Sequence, residues 1–502
     1  MNIYLLFCIA LIPIIWLMVS LGVVKTPGYK ATPITLLITF ILSVFVWKMP
    51  VTDAVKAGLE GGASAIWPII LVIIAAVFIY NLSLQTKSMD VIKKMMTGVT
   101  TDKRILVLIL AWGFGGFLEA IAGFGTAVAI PASIMAALGF DPVFAAIICL
   151  IANTTPTAFG AIGLPVSTLA KLTNLDPGLL SFAVACQLGI LIILVPIVLV
   201  MLTGKSVKSI KGVFGLALAS GLSFAIPEIL AAKYIGAELP AILGSVVCLA
   251  VTIGWAKKFH KESAAKDAEK ILPKDAFKAW IPFILVFIII LVTSPLFPGI
   301  NKGLSRFSTV VTFYHPYTFN WINNPGTLII IAGFIGGLIQ GAKFKDIVKV
   351  LTGTVKQMNK TIITIIAIVA LAKVMSYSGM IKSIAVVLVA VTGHSYPLIA
   401  SIIGAIGTFV TGSDTSANIL FGPLQVEAAK SLGLNPYWLA AANTGGATAG
   451  KMISPQSIAV ATAATGLIGY EGKILTATVK FCIVYVVILG IIAYFMAPVF
   501  GF

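Results

Sequence analysis

The stretch "TGSDTSAN" (411–418) interrupts an apolar run. No residue from Pro397 to Val410 is charged, and the chain turns apolar again at "ILF" (419–421). Within the stretch only Ala417 is apolar, and Asp414 sits in the middle. A carboxylate and several hydroxyls thus stand where their neighbours read as bilayer core.

The rest of the chain supports that reading of the neighbours. Of 502 residues, 59% are hydrophobic and only 10% charged, against about 25% charged in soluble domains. Runs at 3–24, 65–84, 181–202 and 481–500 reach the roughly 20 apolar residues that cross a hydrocarbon core. They predict an all-α polytopic membrane protein with about 12–14 membrane segments. A barrel would show alternating segments of about ten residues instead. The first run has no basic start and no small-residue exit, so it reads as a retained span rather than a signal peptide.

The net charge of +17 does not call for nucleic acid, because cytoplasmic loops of membrane proteins are rich in Lys and Arg. Cys8, Cys149, Cys186, Cys248 and Cys482 stand singly in apolar runs. They read as small buried hydrophobes, and neither a metal site nor a disulfide framework nor a cofactor is expected.

Most of the 34 basic residues fall in the loops 25–30, 87–104, 205–211, 257–278 and 343–360 and the turn 471–473. The loops assigned to the other face are 48–65, 171–178, 227–238, 297–325 and 379–395. An alternating path puts the basic loops on one side if two segments are hairpins, and the positive-inside rule makes that side cytoplasmic. Both termini are then outside the cell membrane. The mixed-charge loop 257–278 divides the chain into a first half, 1–256, and a second half, 279–502.

The two halves share an ordered pattern. Phe117 and Pro131 precede "LGFDP" (138–142), "ANT" (152–154) and "PVS" (165–167). Phe409 and Pro423 precede "LGLNP" (432–436), "ANT" (442–444) and "PQS" (455–457). The Phe-to-Pro and Asn-to-Pro separations are equal in the two halves. The first set enters from the cytoplasmic side and the second from outside, which predicts inverted repeats. Each repeat is expected to hold a re-entrant hairpin (about 105–140 and 396–434) and a broken helix (about 142–171 and 436–470), the pattern of a secondary transporter with its site near the midplane.

Irregular backbone survives in a bilayer only where protein or a water-filled cavity covers it. The expected hairpin tips are "EAIAGFGTA" (119–127) and "TGSDTSAN". The expected helix breaks are "NTTPTAFGAIG" (153–163) and "NTGGATAGKMISP" (443–455). Gly permits the turns, Pro156 and Pro455 break helices, and Ser, Thr and Asn cap half-helices. Half-helix N-termini suit a carboxylate, while freed carbonyls suit a cation. Small residues also let membrane helices pack closely, but four matched breaks favour a site. The candidate substrate-binding residues are Gly123, Gly125, Thr126, Asn153, Thr154, Thr155, Ser413, Thr415, Ser416, Asn418, Asn443, Thr444 and Lys451. Asp141 and Asn435 read as helix caps before Pro142 and Pro436.

At these residues the chain resembles the lactate permease family. "GGFLEAIAGFGTAVAIP" (115–131), "ANTTPTAFGAIGLP" (152–165), "GSDTSANILFGPLQ" (412–425) and "ANTGGATAGKMISPQSIAVA" (442–461) carry the resemblance, which extends over nearly the whole chain. It implies a proton-coupled permease for L-lactate, D-lactate and glycolate. It also implies a place in the ion transporter superfamily, with scaffold and transport domains and commonly a homodimer. The one mild departure is Ala120 or Ile121, where a small residue such as Gly is expected.

Outside the loops, Glu119, Asp414, Lys373 and Lys451 remain. A charge at the bilayer centre costs about 2.5 kcal/mol or more on insertion scales, so such residues are functional candidates. Desolvation disfavours the charged form of an enclosed carboxyl, which suits Glu119, and then Asp414, as proton carriers. Lys451 is placed for a substrate carboxylate or for pairing with Asp414. Lys373 is expected to reach either carboxylate or to snorkel. His260, His315 and His394 fall in loops, so a histidine relay is not expected. The combined reading is an importer of small 2-hydroxy-monocarboxylates by proton symport with alternating access, the alternative being a sodium-coupled carboxylate transporter of the same architecture. No HExxH or GxSxG motif points to an enzyme.

Overall fold

The computed structural model describes every residue except Met1, Lys25, Phe124, 261–270, Pro295, Ile468 and Gly469. Much of the connecting loop 257–278 therefore lies outside the described residues. The helices on either side are Pro240–Phe259 and Pro273–Thr293.

Among the described residues, 11 helices are long and apolar enough to cross a membrane, or up to 12 with one bent pair counted. Thr126–Ala137 and Pro325–Gln340 are apolar but shorter. Among the described residues the regular structure is helical except for one antiparallel strand pair, Ser308–Thr312 with Pro316–Asn320. That pair lies in the loop 297–325 and is tied down by the Trp67 indole N–H, which donates to the Asn320 carbonyl at 2.7 Å.

The enclosed part of the bundle holds the first hairpin. The helical limb Lys103–Ile121 is 94% buried, against 28% for the peripheral Ile3–Leu21. Asp102 caps its start by accepting from the Arg104 amide at 2.9 Å. The limb ends before Gly123 and Gly125, both at positive φ (60° and 84°), and Thr126–Ala137 runs back. The next helix, Pro142–Ala152, starts at Asp141, whose carboxylate accepts from the Phe144 amide at 2.8 Å. It breaks at Asn153 and resumes through Thr155–Thr173 with a bend of 51°.

The second half repeats this order. Tyr396–Thr411 turns at Gly412 (φ 72°) into Asp414–Leu432, capped by Ser413. Asn435 then caps Pro436–Lys451, accepting from the Tyr437 amide at 2.9 Å. After Met452 and Ile453, Ser454 caps Pro455–Thr465.

Two expectations need correction. The second break was expected to begin at Asn443, yet the helix is continuous to Lys451. Its glycines permit contact with the neighbouring backbone rather than a turn: a Cβ on Gly446 would lie 1.8 Å from the Ser401 carbonyl oxygen, and one on Gly450 2.2 Å from that of Ala405. Close packing through small residues here satisfies the helix instead of breaking it. The outer loops assigned at 48–65 and 227–238 are largely helical, in Val51–Ser64 and Phe214–Tyr234. They bury Glu60 and Glu228. Pro50 and Pro227 look like loop punctuation, but Pro50 precedes the first turn of one helix and Pro227 lies inside the other.

Candidate functional site

A cavity of about 440 Å³ opens where the hairpin tips meet the interrupted helices. Glu119, Gly123 and Gly125 line it from the first hairpin, and Thr411 to Ser416 from the second. Gly160 to Pro165 contribute one resumed helix, and Lys451 with Pro455 to Ser457 contribute the other break.

Each tip is held by the far half of the second broken helix. A Cβ on Gly412 would meet the Gln456 side chain at 2.0 Å, and one on Gly125 would meet Val460 at 3.0 Å. Helix Pro455–Thr465 therefore reaches both tips. The first broken helix packs on the opposite hairpin in turn. The Asn418 amide donates to the Pro165 carbonyl at 3.3 Å, and Leu169 fills the space beside Gly422.

Three charged groups face the cavity from buried positions: Glu119 and Asp414, each 2% exposed, and Lys451, 9% exposed. Glu119 sits one turn before its tip. Its Oε1 lies against Gly160, where a Cβ would stand only 2.7 Å away, and its Oε2 has no protein partner. Asp414 is the first residue of its helix, and neither carboxyl oxygen has a protein partner. It is in electrostatic reach of both Lys451 and Glu119. The Lys451 ammonium makes no hydrogen bond or close ion pair among the described residues. Of the two placements expected for Lys451, a pair with Asp414 is not formed at ion-pair distance among the described residues.

The remaining candidates are placed differently. Thr126 donates its hydroxyl to the Gly123 carbonyl at 2.8 Å and shapes the tip. Asn418, Asn443 and Thr444 form a buried knot: the Asn443 amide and the Thr444 hydroxyl donate to Asn418 Oδ1 at 2.9 and 3.1 Å. Gln425 donates to Asn443 Oδ1 at 3.3 Å. This network ties hairpin to broken helices behind the cavity wall, with Gln425 Oε1 left without a protein partner. Asn153, Thr154 and Thr155 are buried at the first break, away from the cavity lining. Lys373 reaches neither cavity carboxylate. It pairs with Glu60 at 3.2 Å, and Tyr377 and the His315 amide complete the cluster.

Sequence reasoning missed the mouth. Tyr29, Lys360, Thr361 and Thr364 line the cavity within the first two turns of helices Gly28–Phe45 and Asn359–Ser378. Lys360 is exposed there, and its ammonium lies 5.3 Å from the Tyr29 ring centroid. Lys360 was counted with the loop 343–360. The available signal was its position immediately before an apolar run.

The fold and this charged chamber define an integral multi-pass membrane protein with a solute-sized polar site. The chain belongs to the L-lactate permease family, whose model matches residues 6–500. It is 56% identical over 442 residues to the L-lactate permease of Streptococcus iniae, covering 86% of this chain and 93% of that one. It is 36% identical over 538 residues to the glycolate permease GlcA of Escherichia coli K12, covering 98% and 96%. The solved Neisseria gonorrhoeae MtrF efflux pump overlays with a TM-score of 0.48 at 13% identity, covering 87% of this chain and 83% of that one. That likeness is too loose to bear on the site. Family membership makes the chain a transporter and not an enzyme.

Proposed function

We propose that the chain carries L-lactate and related 2-hydroxy-monocarboxylates such as D-lactate and glycolate across the cell membrane by proton symport. The relatives are named for L-lactate and glycolate, and the cavity suits a small anion. The observation that carries the reading is Lys451, a buried ammonium left without a protein anion beside it in a chamber edged by two capped helix starts. Ammonium and helix N-termini both favour a carboxylate. Tip hydroxyls of Ser413, Thr415 and Ser416 are the groups offered to the substrate's own hydroxyl.

The charge balance supports proton coupling. Among the buried charges of the chamber, Glu119 and Asp414, when both ionised, exceed Lys451 by one negative charge, Lys360 being exposed at the mouth. An incoming carboxylate would add a second in a desolvated chamber, which is costly unless a carboxyl takes up a proton. Substrate and proton then bind together more readily than either alone. Glu119, with Gly160 against one oxygen and the other unpaired, is the first candidate for that proton, and Asp414 the second.

The mouth carries Lys360 and adjoins the basic loops, so the positive-inside rule places it at the cytoplasmic face. The two hairpins then enter from opposite sides as inverted repeats, and alternating access requires the tips to move against the surrounding helices. The coupling ion is a proton rather than sodium on this reading, and pairing into a homodimer follows from the resemblance.

The test is reconstitution into sodium-free liposomes. Lactate addition is expected to drive proton uptake, and Glu119→Gln to cut the proton uptake per lactate at least tenfold. An absolute sodium requirement would overturn the proton reading, and unchanged coupling in Glu119→Gln would overturn the assignment of the carrier.

A further inference from the structure

Helix Phe344–Gln357 lies outside the transport site, yet it leads straight to it. It follows Pro325–Gln340 after a turn at Gly341 and runs into Asn359–Ser378, the helix whose start forms the mouth of the cavity. Met358 caps the end of the one and the start of the other, so no linker separates them.

The faces of this helix are divided. Ile347 and Thr354 are buried. Ile347 packs with Phe78 and Leu82 of helix Leu71–Gln85. The Asn81 amide of that helix donates to Thr354 Oγ1 at 2.9 Å and to Gln357 Oε1 at 3.1 Å. At about 100° per residue, Lys345, Lys349 and Lys356 fall in one stripe opposite Ile347, and all three are exposed. Among the described residues no carboxylate pairs with any of them at ion-pair distance. Asp346, the one acidic residue of the helix, falls on one flank, and Phe344 and Val355 fall on the other.

That second flank is apolar and open. Phe344 is 62% exposed and Val355 41%. Phe344 folds back on the preceding helix, its ring centroid 5.4 Å from that of Phe334. Leu338 and Ile339, at the end of the same helix, are about half exposed, as side chains turned to hydrocarbon are. The flank therefore continues the lipid-facing surface, and the lysine stripe stands at its edge. Helix Pro273–Thr293 adds a further charge there. The exposed Lys278 ammonium lies 4.0 Å from where a Cβ on Gly341 would stand.

A helix with an apolar flank and a basic stripe lies along a membrane surface, its apolar side chains toward the acyl chains and its ammoniums among the headgroups. Unpaired lysines at that depth attract anionic lipid. A soluble partner could neutralise the stripe but not cover a flank that is continuous with the lipid-facing surface. We propose that Phe344–Gln357 is a docking face for anionic phospholipid headgroups, held at Lys345, Lys349 and Lys356 while Phe344 and Val355 enter the acyl boundary. Because Met358 joins the two helices directly, docking also steadies the first two turns of Asn359–Ser378, which carry Lys360 and Thr364 at the mouth.

The test compares full-length protein in vesicles of phosphatidylcholine alone with protein in vesicles of phosphatidylcholine and phosphatidylglycerol. Backbone hydrogen exchange over 344–364 is expected to be about tenfold slower in the anionic vesicles, a modest share of what three lysines contribute at such a surface. The slowing should fade at high salt. The triple variant Lys345→Gln, Lys349→Gln, Lys356→Gln is expected to abolish it. The control Lys205→Gln, Lys208→Gln, Lys211→Gln removes as many charges from another basic loop and is expected to keep it. Equal exchange in both kinds of vesicle would overturn lipid as the occupant and leave the stripe to an acidic protein. Equal loss of the slowing in both triple variants would overturn a dedicated face in favour of general charge attraction. Slowing that stops at 357 would overturn the link to the mouth.

Discussion

The first hairpin turns through glycines, at Gly123 and Gly125, and carries its carboxylate one turn earlier, at Glu119. The second turns through one glycine, Gly412, and restarts at a capped helix whose first residue is the carboxylate, Asp414. Their limbs are anchored differently as well. The second hairpin touches its broken helix backbone to backbone, at Gly404, Gly446 and Gly450. The glycines of the first meet side chains instead, Gly113 at Leu249 and Gly116 at Phe224, while a Cβ on Gly115 would lie 3.4 Å from its nearest neighbour, the Ala127 carbonyl oxygen. The difference teaches that the limb of the second hairpin is anchored on neighbouring backbone, while the limb of the first is anchored on side chains that can yield.

The largest effect should come from breaking the tight anchor. Gly446→Val is expected to destabilise the protein by about 3 kcal/mol through overpacking against Ser401. Gly115→Ala in the looser hairpin should cost less than about 1 kcal/mol, because its Cβ meets only ordinary contacts. Thermal unfolding of the detergent-solubilised variants measures both, and equal losses would erase the comparison.

Next comes the chemistry between the tips. Lys451→Ala removes the charge facing them and should weaken lactate binding by about ten- to a hundredfold, the worth of a charge-assisted hydrogen bond at about 1.5–3 kcal/mol. Equilibrium binding of labelled lactate checks it, and unchanged affinity would make Lys451 a structural group. The smallest effect tests the capped tip alone. Ser413→Ala should cost about 1 kcal/mol of stability, as N-cap losses do. A melting temperature equal to wild type would mean that Gln456 packing, not the cap, holds the second tip.

The landmarks of both hairpins were legible in the chain because they are local. Asp141 and Asn435 cap the helices they precede, and Gly123, Gly125 and Gly412 take the positive φ that a tip needs. Glu119, Asp414 and Lys451, singled out as charges in apolar runs, all line the cavity. Whether a glycine breaks a helix or admits a neighbour depends on what packs beside it, so the continuous helix through Asn443 to Lys451 was not legible. Nor was the partner of Lys373, since Glu60 is distant in the chain and was assigned to a loop.

The sequence alone determined a membrane-spanning helical chain, the positions of two polar interruptions in each half, and the charged residues that the bilayer would not tolerate without a role. These follow from hydrophobic length, turn chemistry and the cost of burying charge, all of which act within a few residues. Only the tertiary structure decided which of the marked polar residues share a cavity and which knit the helices behind it. It also decided that Lys360 forms the mouth and that Glu228 is buried. Those outcomes depend on groups brought together from distant segments, where burial and partners are set by packing rather than by neighbours along the chain.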